Sequence, residues 1–390
     1  MKIIFWLSTF LIVYTYLGYG LVLWILVKIR WLIKGKRPLP VVDDRDLPGC
    51  TLIVAAYNEE SFIREKIANT LELDYPKDKL KFLFVTDGCD DKTPEIIQTY
   101  PEITLLHQAA RNGKIAAVHR AVNQVDSEVI VFTDANTFLN PEALKNICRH
   151  YSDREVGAVA GEKRVQVDKQ ADASAAGEGF YWRYESTLKK WDSELYSVVG
   201  AAGELFSVRN KLYQPVSPDS ILDDFMISML IARKGYRIIY EPDAYATETA
   251  SANVSEELKR KIRIAAGGIQ SVIWLKDLLN IFKYGILSFQ YISHRVLRWT
   301  ITPFLLILVL LLNLILAIKT SSLLYLGILL AQVLFYVLAW IGLILEKRHL
   351  RVKILFIPYY FCVMNYAVFA GLIRYFRKRQ SSSWEKAKRK

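Results

Sequence analysis

Charge-free apolar stretches bracket this chain, and between them short apolar runs alternate with helical periodicity. Residues 3–27 carry no charge and are long enough for a helix to cross a hydrocarbon core. Lys28, Arg30, Lys34, Lys36 and Arg37 follow at once. A cleaved leader would carry its charge ahead of the apolar stretch and end in small residues, so the pattern predicts an anchor with a cytoplasmic region after it. Further apolar candidates lie at 299–318, 323–345 and 354–373. Basic flanks at His294, Arg295 and Arg298, and at Lys347, Arg348, Arg351 and Lys353, mark two cytoplasmic edges, with residues 319–322 outside. The last stretch, which contains Pro358 and Asn365, is expected not to cross fully, because another crossing would export the basic tail.

Apolar runs at 51–56, 82–86, 103–106 and 129–133 read as strands, and helical patterns such as 59–71 and 114–125 fall between them. That alternation predicts parallel βαβ units, whose ligands bind beyond the carboxyl ends of the strands. The resulting division is an anchor at 1–28, a basic linker at 29–48, an α/β domain at 49–253, amphipathic interfacial helices at 254–295, C-terminal membrane helices at 296–376 and a basic tail at 377–390.

Of the 390 residues, 52% are hydrophobic and the net charge is +12. The basic residues border lipid-length segments instead of lining a helix face, which favours the lipid bilayer over nucleic acid as partner. Four cysteines without metal-ligand spacing fit a reducing cytoplasm and are given no chemistry.

Polar clusters close the strands. Asp134-Ala135-Asn136 offers oxygen ligands at i and i+2, as a Mg2+ site completed by phosphates and water requires, although strand-to-loop turns use the same residues. Tyr57-Asn58-Glu59-Glu60 reads equally as an Asn helix cap with acids in the first turn. Asp87-Gly88 repeats the arrangement one unit later. Two acidic βα turns suit a base N–H and ribose hydroxyls, and neither has the glycines of a phosphate-binding loop. Arg111-Asn112-Gly113-Lys114 sets two cations around a turn glycine, which suits phosphate but also a solvated turn.

In order, Tyr57-Asn58-Glu59, Asp87-Gly88, Arg111 to Lys114 and Asp134-Ala135-Asn136 closely resemble membrane glycosyltransferases of family 2, the relatives of cellulose, chitin, hyaluronan and poly-N-acetylglucosamine synthases. Gly200-Ala201-Ala202-Gly203-Glu204 resembles their acceptor-side glycine segment, and Leu222-Asp223-Asp224 their Thr-Glu-Asp motif. Arg260-Lys261-Ile262-Arg263-Ile264 falls where they carry Gln-x-x-Arg-Trp. The resemblance runs from about residue 50 to 300. It implies a GT-A, Rossmann-like nucleotide-sugar domain on the cytoplasmic side of transmembrane helices. Tyr57, Asn58, Glu59, Asp87 and Gly88 would meet the nucleoside, with Arg111 and Lys114 near the nucleotide. Asp134 and Asn136 would hold Mg2+ or Mn2+ on the diphosphate, and Arg263 would contact the leaving group. Asp224 would be the general base with Asp223 beside it, and Gly203, Glu204 and Arg260 would face the acceptor. As a plain alternative, Asp223 and Asp224 cap the following helix.

Four departures from the family pattern stand out, of which Asp223 for Glu is a conservative shortening and Arg260 stands in place of Gln. Asn136 replaces an Asp, leaving one protein charge in the metal pair. Ile264 replaces a tryptophan on which an acceptor sugar would stack, which puts processive polymerisation in doubt. The expected protein is a multi-pass cell-membrane enzyme that moves a sugar from a UDP-sugar donor to a glycan or lipid acceptor with inversion, building cell-surface polysaccharide. Single-sugar transfer to a polyprenyl phosphate or ceramide-like lipid stays open, as does a homo-oligomer or an export partner. A nucleotide-sensing transporter or receptor is the non-enzyme alternative. It is disfavoured because the apolar spans lack ionisable residues.

Overall fold

The computed structural model describes residues 1–166, 173–249, 254–348 and 352–377, so most of the basic tail lies outside the described residues. They form two compact units. One contains Arg30–Gln166 and Lys189–Glu256; the other contains Met1–Ile29, Val167–Leu188 and Glu257–Arg379.

The first unit is built on an eight-stranded sheet among the described residues. Its strands are β1 (Cys50–Ala56), β2 (Leu80–Asp87), β3 (Ile103–Gln108), β4 (Val129–Asp134), β5 (Thr137–Leu139), β6 (Val156–Gln166), β7 (Leu205–Arg209) and β8 (Arg237–Thr249). They lie in the order β3-β2-β1-β4-β7-β6-β8-β5. β1 is buried along its whole length because it pairs in parallel with β2 and β4 on its two sides and is covered on both faces. Leu52, Val54, Phe84, Ile97, Val131 and Ile147 belong to its core. Each large apolar side chain fully removed from water contributes about 1.5–3 kcal/mol.

The expected parallel arrangement holds for β3-β2-β1-β4. Beyond β4 the sheet is mixed: β7 runs antiparallel to both β4 and β6, β5 runs antiparallel to β8, and β6 runs parallel to β8. Helices still separate these strands along the chain, Ala143–Cys148 before β6, Ala173–Leu195 before β7 and Asp223–Arg233 before β8, so the alternation continues while strand direction changes. This reversal places the site. Ala55 is level with Asp134 and Ala56 with Thr86, so β1, β2 and β4 end at one edge. Thr133 is level with Leu205 in the antiparallel pair, so the residues leading into β7, Gly203 and Glu204, arrive at that same edge.

Helix limits differ from the periodicity in instructive ways. The helix after β1 spans Ile63–Leu71, four residues later than expected, and its N-cap is Phe62. Asn58 is therefore not a helix cap. It sits at φ +54° and exchanges hydrogen bonds with Asp90. The helix opened by Lys114 ends at Val122.

Four helices, Lys2–Lys34, Ile301–Thr320, Leu323–Lys347 and Ile354–Phe376, are long and apolar enough to cross a membrane among the described residues, and all but Arg30–Lys34 of them belong to the other unit. The first helix runs past Lys28 to Lys34, through a π turn at Tyr14–Gly18, so the basic residues 28–34 extend it instead of opening a linker. The last is one continuous helix despite Pro358. Polar side chains within the unit pair with one another: Asn313 donates to Gln332 at 2.8 Å and Tyr16 to Asn365 at 2.7 Å. Buried Glu185 meets His294, Arg295 and Arg298 at 3.2, 2.9 and 3.1 Å. Residues 254–295 form the helix Val254–Trp274 and then short turns from which Ile281, Phe282 and Ile286 project outward.

Candidate active site

At the end of β2, Asp87 is 2% exposed. Its Oδ2 accepts from the backbone N–H of Asn112 at 2.9 Å and of Gly113 at 2.6 Å, so the carboxylate folds the Arg111–Lys114 loop over the sheet edge. Its Oδ1 is buried, 3.8 Å from Arg120, and accepts no hydrogen bond from the described residues. A buried acceptor left open is costly unless something fills it, and a nucleoside N–H or hydroxyl is a suitable donor. Gly88 is required twice over. Its φ is +66°, and a Cβ there would lie 2.5 Å from the Arg111 Cβ and 2.9 Å from its Cα. Arg111 in turn stacks on Tyr57, its guanidinium carbon 4.1 Å from the ring centre. The Glu59 amide donates to Thr93 at 2.9 Å, tying the end of β1 to the segment after β2.

A charged pocket lies at the end of β4. Lys114, first residue of its helix, places Nζ 2.7 Å from Asp134 Oδ1. Asp223, Gly203, Ile53, Ala55 and Phe132 line the same pocket. A Cβ on Gly203 would sit 3.2 Å from Asp224 Oδ2 and 3.8 Å from Lys114 Nζ, so the residue is small where a carboxylate and an ammonium converge. Burial, and then the charge of Asp223, push the Asp224 carboxyl up to about 7. Asp134, Asp223 and Asp224 together outweigh burial and hold the Lys114 ammonium above its ordinary range. Both aspartates belong to the first turn of the helix Asp223–Arg233, whose cap residue Leu222 offers no side-chain bond. Asp224 Oδ1 accepts from the next residue's amide at 2.8 Å, which leaves Oδ2 on the Gly203 side.

The structure thus gathers Asp134, Lys114, Gly203, Asp223 and Asp224, and gathers Tyr57, Asp87, Gly88 and Arg111 at the neighbouring strand end. Glu204 is committed elsewhere: its carboxylate lies 2.5 Å from buried Lys163, which also pairs with Glu248. Arg260 and Arg263 belong to the other unit, on the helix Val254–Trp274, where Arg260 pairs with Glu257 at 3.1 Å.

Sequence reasoning missed Lys66. Its Nζ donates to the Thr137 carbonyl at 2.6 Å and to Thr133 Oγ1 at 3.3 Å, directly under the Asp134–Asn136 turn. Burial, only partly offset by Asp134, lowers this ammonium to about 7. The signal was its spacing, since Ile63, Lys66, Ile67 and Thr70 share one buried helical face.

Among the described residues, no three His, Cys, Asp or Glu side chains converge as a metal cage. Asp134 and Asn136, at i and i+2 in the turn between β4 and β5, fit a hard cation that completes its shell with phosphate oxygens and water.

A mixed α/β sheet with acidic side chains at its strand ends and a lysine beside them suits a nucleotide-dependent transferase. Residues 51–216 match the Glycosyl transferase family 2 profile, so the chain carries a glycosyltransferase family 2 domain, of GT-A fold. It is 25% identical over 266 residues to the poly-beta-1,6-N-acetyl-D-glucosamine synthase of Staphylococcus aureus, a match covering 66% of this chain and 62% of that one. The Staphylococcus epidermidis synthase of the same name is 22% identical, over 68% and 66% of the two chains. The chain thus aligns with less than two thirds of the length of these curated relatives. Among solved structures, a mannosyltransferase from Pyrobaculum calidifontis, in complex with GDP-Man and Mn2+, superposes with a TM-score of 0.69 at 23% identity, covering 97% of this chain and 100% of that one.

Proposed function

We propose that the chain transfers a sugar from a UDP-sugar to a glycan acceptor by direct, inverting displacement at the anomeric carbon. The observation that carries this reading is Asp224, held near neutrality beside Lys114 and Asp134 at the edge where β4 ends. A sugar hydroxyl is a weak nucleophile at neutral pH, and a carboxylate poised near 7 is well matched to take its proton. Asp223 raises the basicity of that carboxylate through its charge. The open Oδ1 of Asp87, with the Arg111–Tyr57 stack, suits the nucleoside, and Lys114 suits the diphosphate. Asp134 and Asn136 would hold Mg2+ or Mn2+, which supplies charge stabilisation to the departing diphosphate when bound. Four apolar helices and the basic residues 28–37 support a multi-pass protein with this unit on the cytoplasmic side.

One observation favours a second reading, single-sugar transfer to a lipid acceptor. Ile264 stands where polymerising relatives would stack a sugar on tryptophan, and an aliphatic side chain offers no π face.

The test incubates the detergent-solubilised chain with a panel of UDP-sugars and GDP-mannose, measuring nucleoside diphosphate release and product mass. The expected result is release of UDP in step with sugar transferred, abolished by excess chelator. Turnover of GDP-mannose alone would change the donor nucleotide from uridine to guanosine. Release of nucleotide without a glycosylated product would sink the transfer reading.

A further inference from the structure

Lys66 is fully buried, on the same helical face as Ile63, Ile67 and Thr70. Its two hydrogen-bond partners, the Thr137 carbonyl and the Thr133 hydroxyl, are both uncharged, and no described carboxylate forms an ion pair with it. Lysine is almost never fully buried without a paired charge, because an ammonium loses its hydration and regains too little. A methionine of similar length would fill this apolar face at less cost. The fold alone therefore gives no reason for the charge.

The two oxygens it grips give one. Thr133 and Thr137 bracket Asp134-Ala135-Asn136, and their hydroxyls lie 3.0 Å apart. The Thr137 hydroxyl donates to the Asp134 carbonyl at 3.0 Å, and the Thr133 hydroxyl donates to the Glu204 carbonyl at 2.8 Å. One ammonium thus ties together the turn after β4 and the Gly203-Glu204 segment that enters β7. These are the two backbone stretches between which Asp134, Lys114 and Asp224 meet. Asp134 is bonded by Lys114 on the pocket side and anchored through its backbone on the Lys66 side.

We propose that Lys66 is a positioning residue for the donor site: it holds the Asp134–Asn136 turn, and with it the Gly203 segment, in the geometry that receives a metal–nucleoside diphosphate. The inference rests on the metal reading given under Proposed function. Support for a ligating carboxylate commonly matters as much as the ligand itself, and removing such an outer partner weakens metal affinity by about 10–100-fold. Because the buried charge is a burden on the fold, its removal is expected to leave thermal stability unchanged or improved while binding suffers. A lysine serving only the fold would behave in the opposite way.

The experiment uses the full chain in detergent as wild type, Lys66→Met and Lys66→Arg. It measures Mn2+ binding in the presence of UDP, and separately GDP, by the electron paramagnetic resonance signal of free Mn2+. Metal-free nucleotide affinity and melting temperature are measured alongside. Lys66→Met is expected to weaken Mn2+–nucleotide binding about 10–100-fold, with metal-free nucleotide affinity and melting temperature preserved, and Lys66→Arg is expected to recover part of the loss. If Lys66→Met does not fold, Thr133→Val removes one acceptor of the ammonium at nearly constant shape and should show a smaller loss confined to the metal-dependent step. Variants that bind Mn2+ with nucleotide as wild type does would overturn the inference. So would a loss of melting temperature matched by equal loss with and without metal. A wild type whose affinity for both nucleotides ignores Mn2+ is a different outcome: it overturns the metal reading and this inference with it.

Discussion

The two strand ends beside β1 solve different problems with the same residue type. At the end of β2, Asp87 spends one oxygen on two backbone amides and leaves the other open in a buried setting. Its chief neighbours are main-chain groups, so its role is shape: it folds a loop and presents one acceptor. At the end of β4, Asp134, Lys114 and Asp223 line one pocket, and Asp224 Oδ2 lies beside its Gly203, where burial and then the charge of Asp223 raise the carboxyl. A site of the first kind holds a ligand equally in ground and transition states. A site of the second kind changes protonation and responds to charge that develops during reaction. Substitutions at β2 should therefore appear in KM, and substitutions around β4 in kcat.

The largest effect is expected at Asp224. Asp224→Asn preserves shape and removes the proposed base, so transfer should fall by about 10²–10⁴-fold, with UDP affinity kept. Asp223→Asn should cost less, because Asp223 acts through the charge it places beside Asp224. Initial rates and UDP titrations of both variants decide the ranking. A more damaging Asp223→Asn would move the base to Asp223, and two fully active variants would remove the carboxylates from the mechanism.

Much of this contrast was legible in the residues. β1, the second half of β2 and β4 are continuous apolar runs ended by polar clusters, the pattern of parallel strands buried on both faces. Asp87-Gly88 and Arg111 to Lys114 were legible as turns, because glycine next to charge marks a backbone that approaches something closely. Periodicity could not reveal β7 reversing direction, since an apolar five-residue strand looks the same in either sense. That reversal brings Gly203 against Asp224, so local pattern carried only half of the pocket. Glu204 was read toward the acceptor, yet its partner Lys163 lies on β6, 41 positions away, and nothing local announces that pair. Lys66 was hidden for a related reason. A lysine on a helix is ordinarily solvated, and only its register with Ile63 and Ile67 contradicts that. The Asn58 cap reading failed because its chemistry is satisfied across the sheet edge by Asp90, not by the helix that follows.

Acid should expose the charged end next. Asp224 holds its proton to about 7 in the fold, against an ordinary value of 3.8. If Asp224 is the base as proposed, the active form is the ionised one, so kcat should rise with pH and level off above about 7, with a limiting slope of about tenfold per pH unit on the acid side. Stability has the opposite sign. The folded state binds this proton more tightly than the unfolded chain, so its contribution is present in full below 3.8 and lost as pH rises through 7. Asp223→Asn should move the inflection in rate to lower pH, because the like charge is gone. A profile that stays flat from pH 5 to 8, or an inflection unmoved in Asp223→Asn, would break the link between this pair and catalysis.

The smallest effect is expected at the other strand end, and it sharpens the comparison most. In Asp87→Asn the amide oxygen can still accept from Asn112 and Gly113, so the loop over β2 should keep its fold. The second position then becomes an N–H₂ donor, facing ligand groups that formerly met an open acceptor. Losing one such hydrogen bond and its charge costs about 1–2 kcal/mol, or about 5–30-fold in donor KM, with kcat near the wild-type value. Steady-state kinetics over a range of donor concentrations separates the two parameters. If kcat falls as far as in Asp224→Asn while KM stays put, Asp87 takes part in the chemistry, and the division between a shaping end and a reacting end is wrong. If neither parameter moves, the open oxygen of Asp87 has no partner in the bound donor, and nucleoside recognition must be sought at Tyr57 and Arg111 instead.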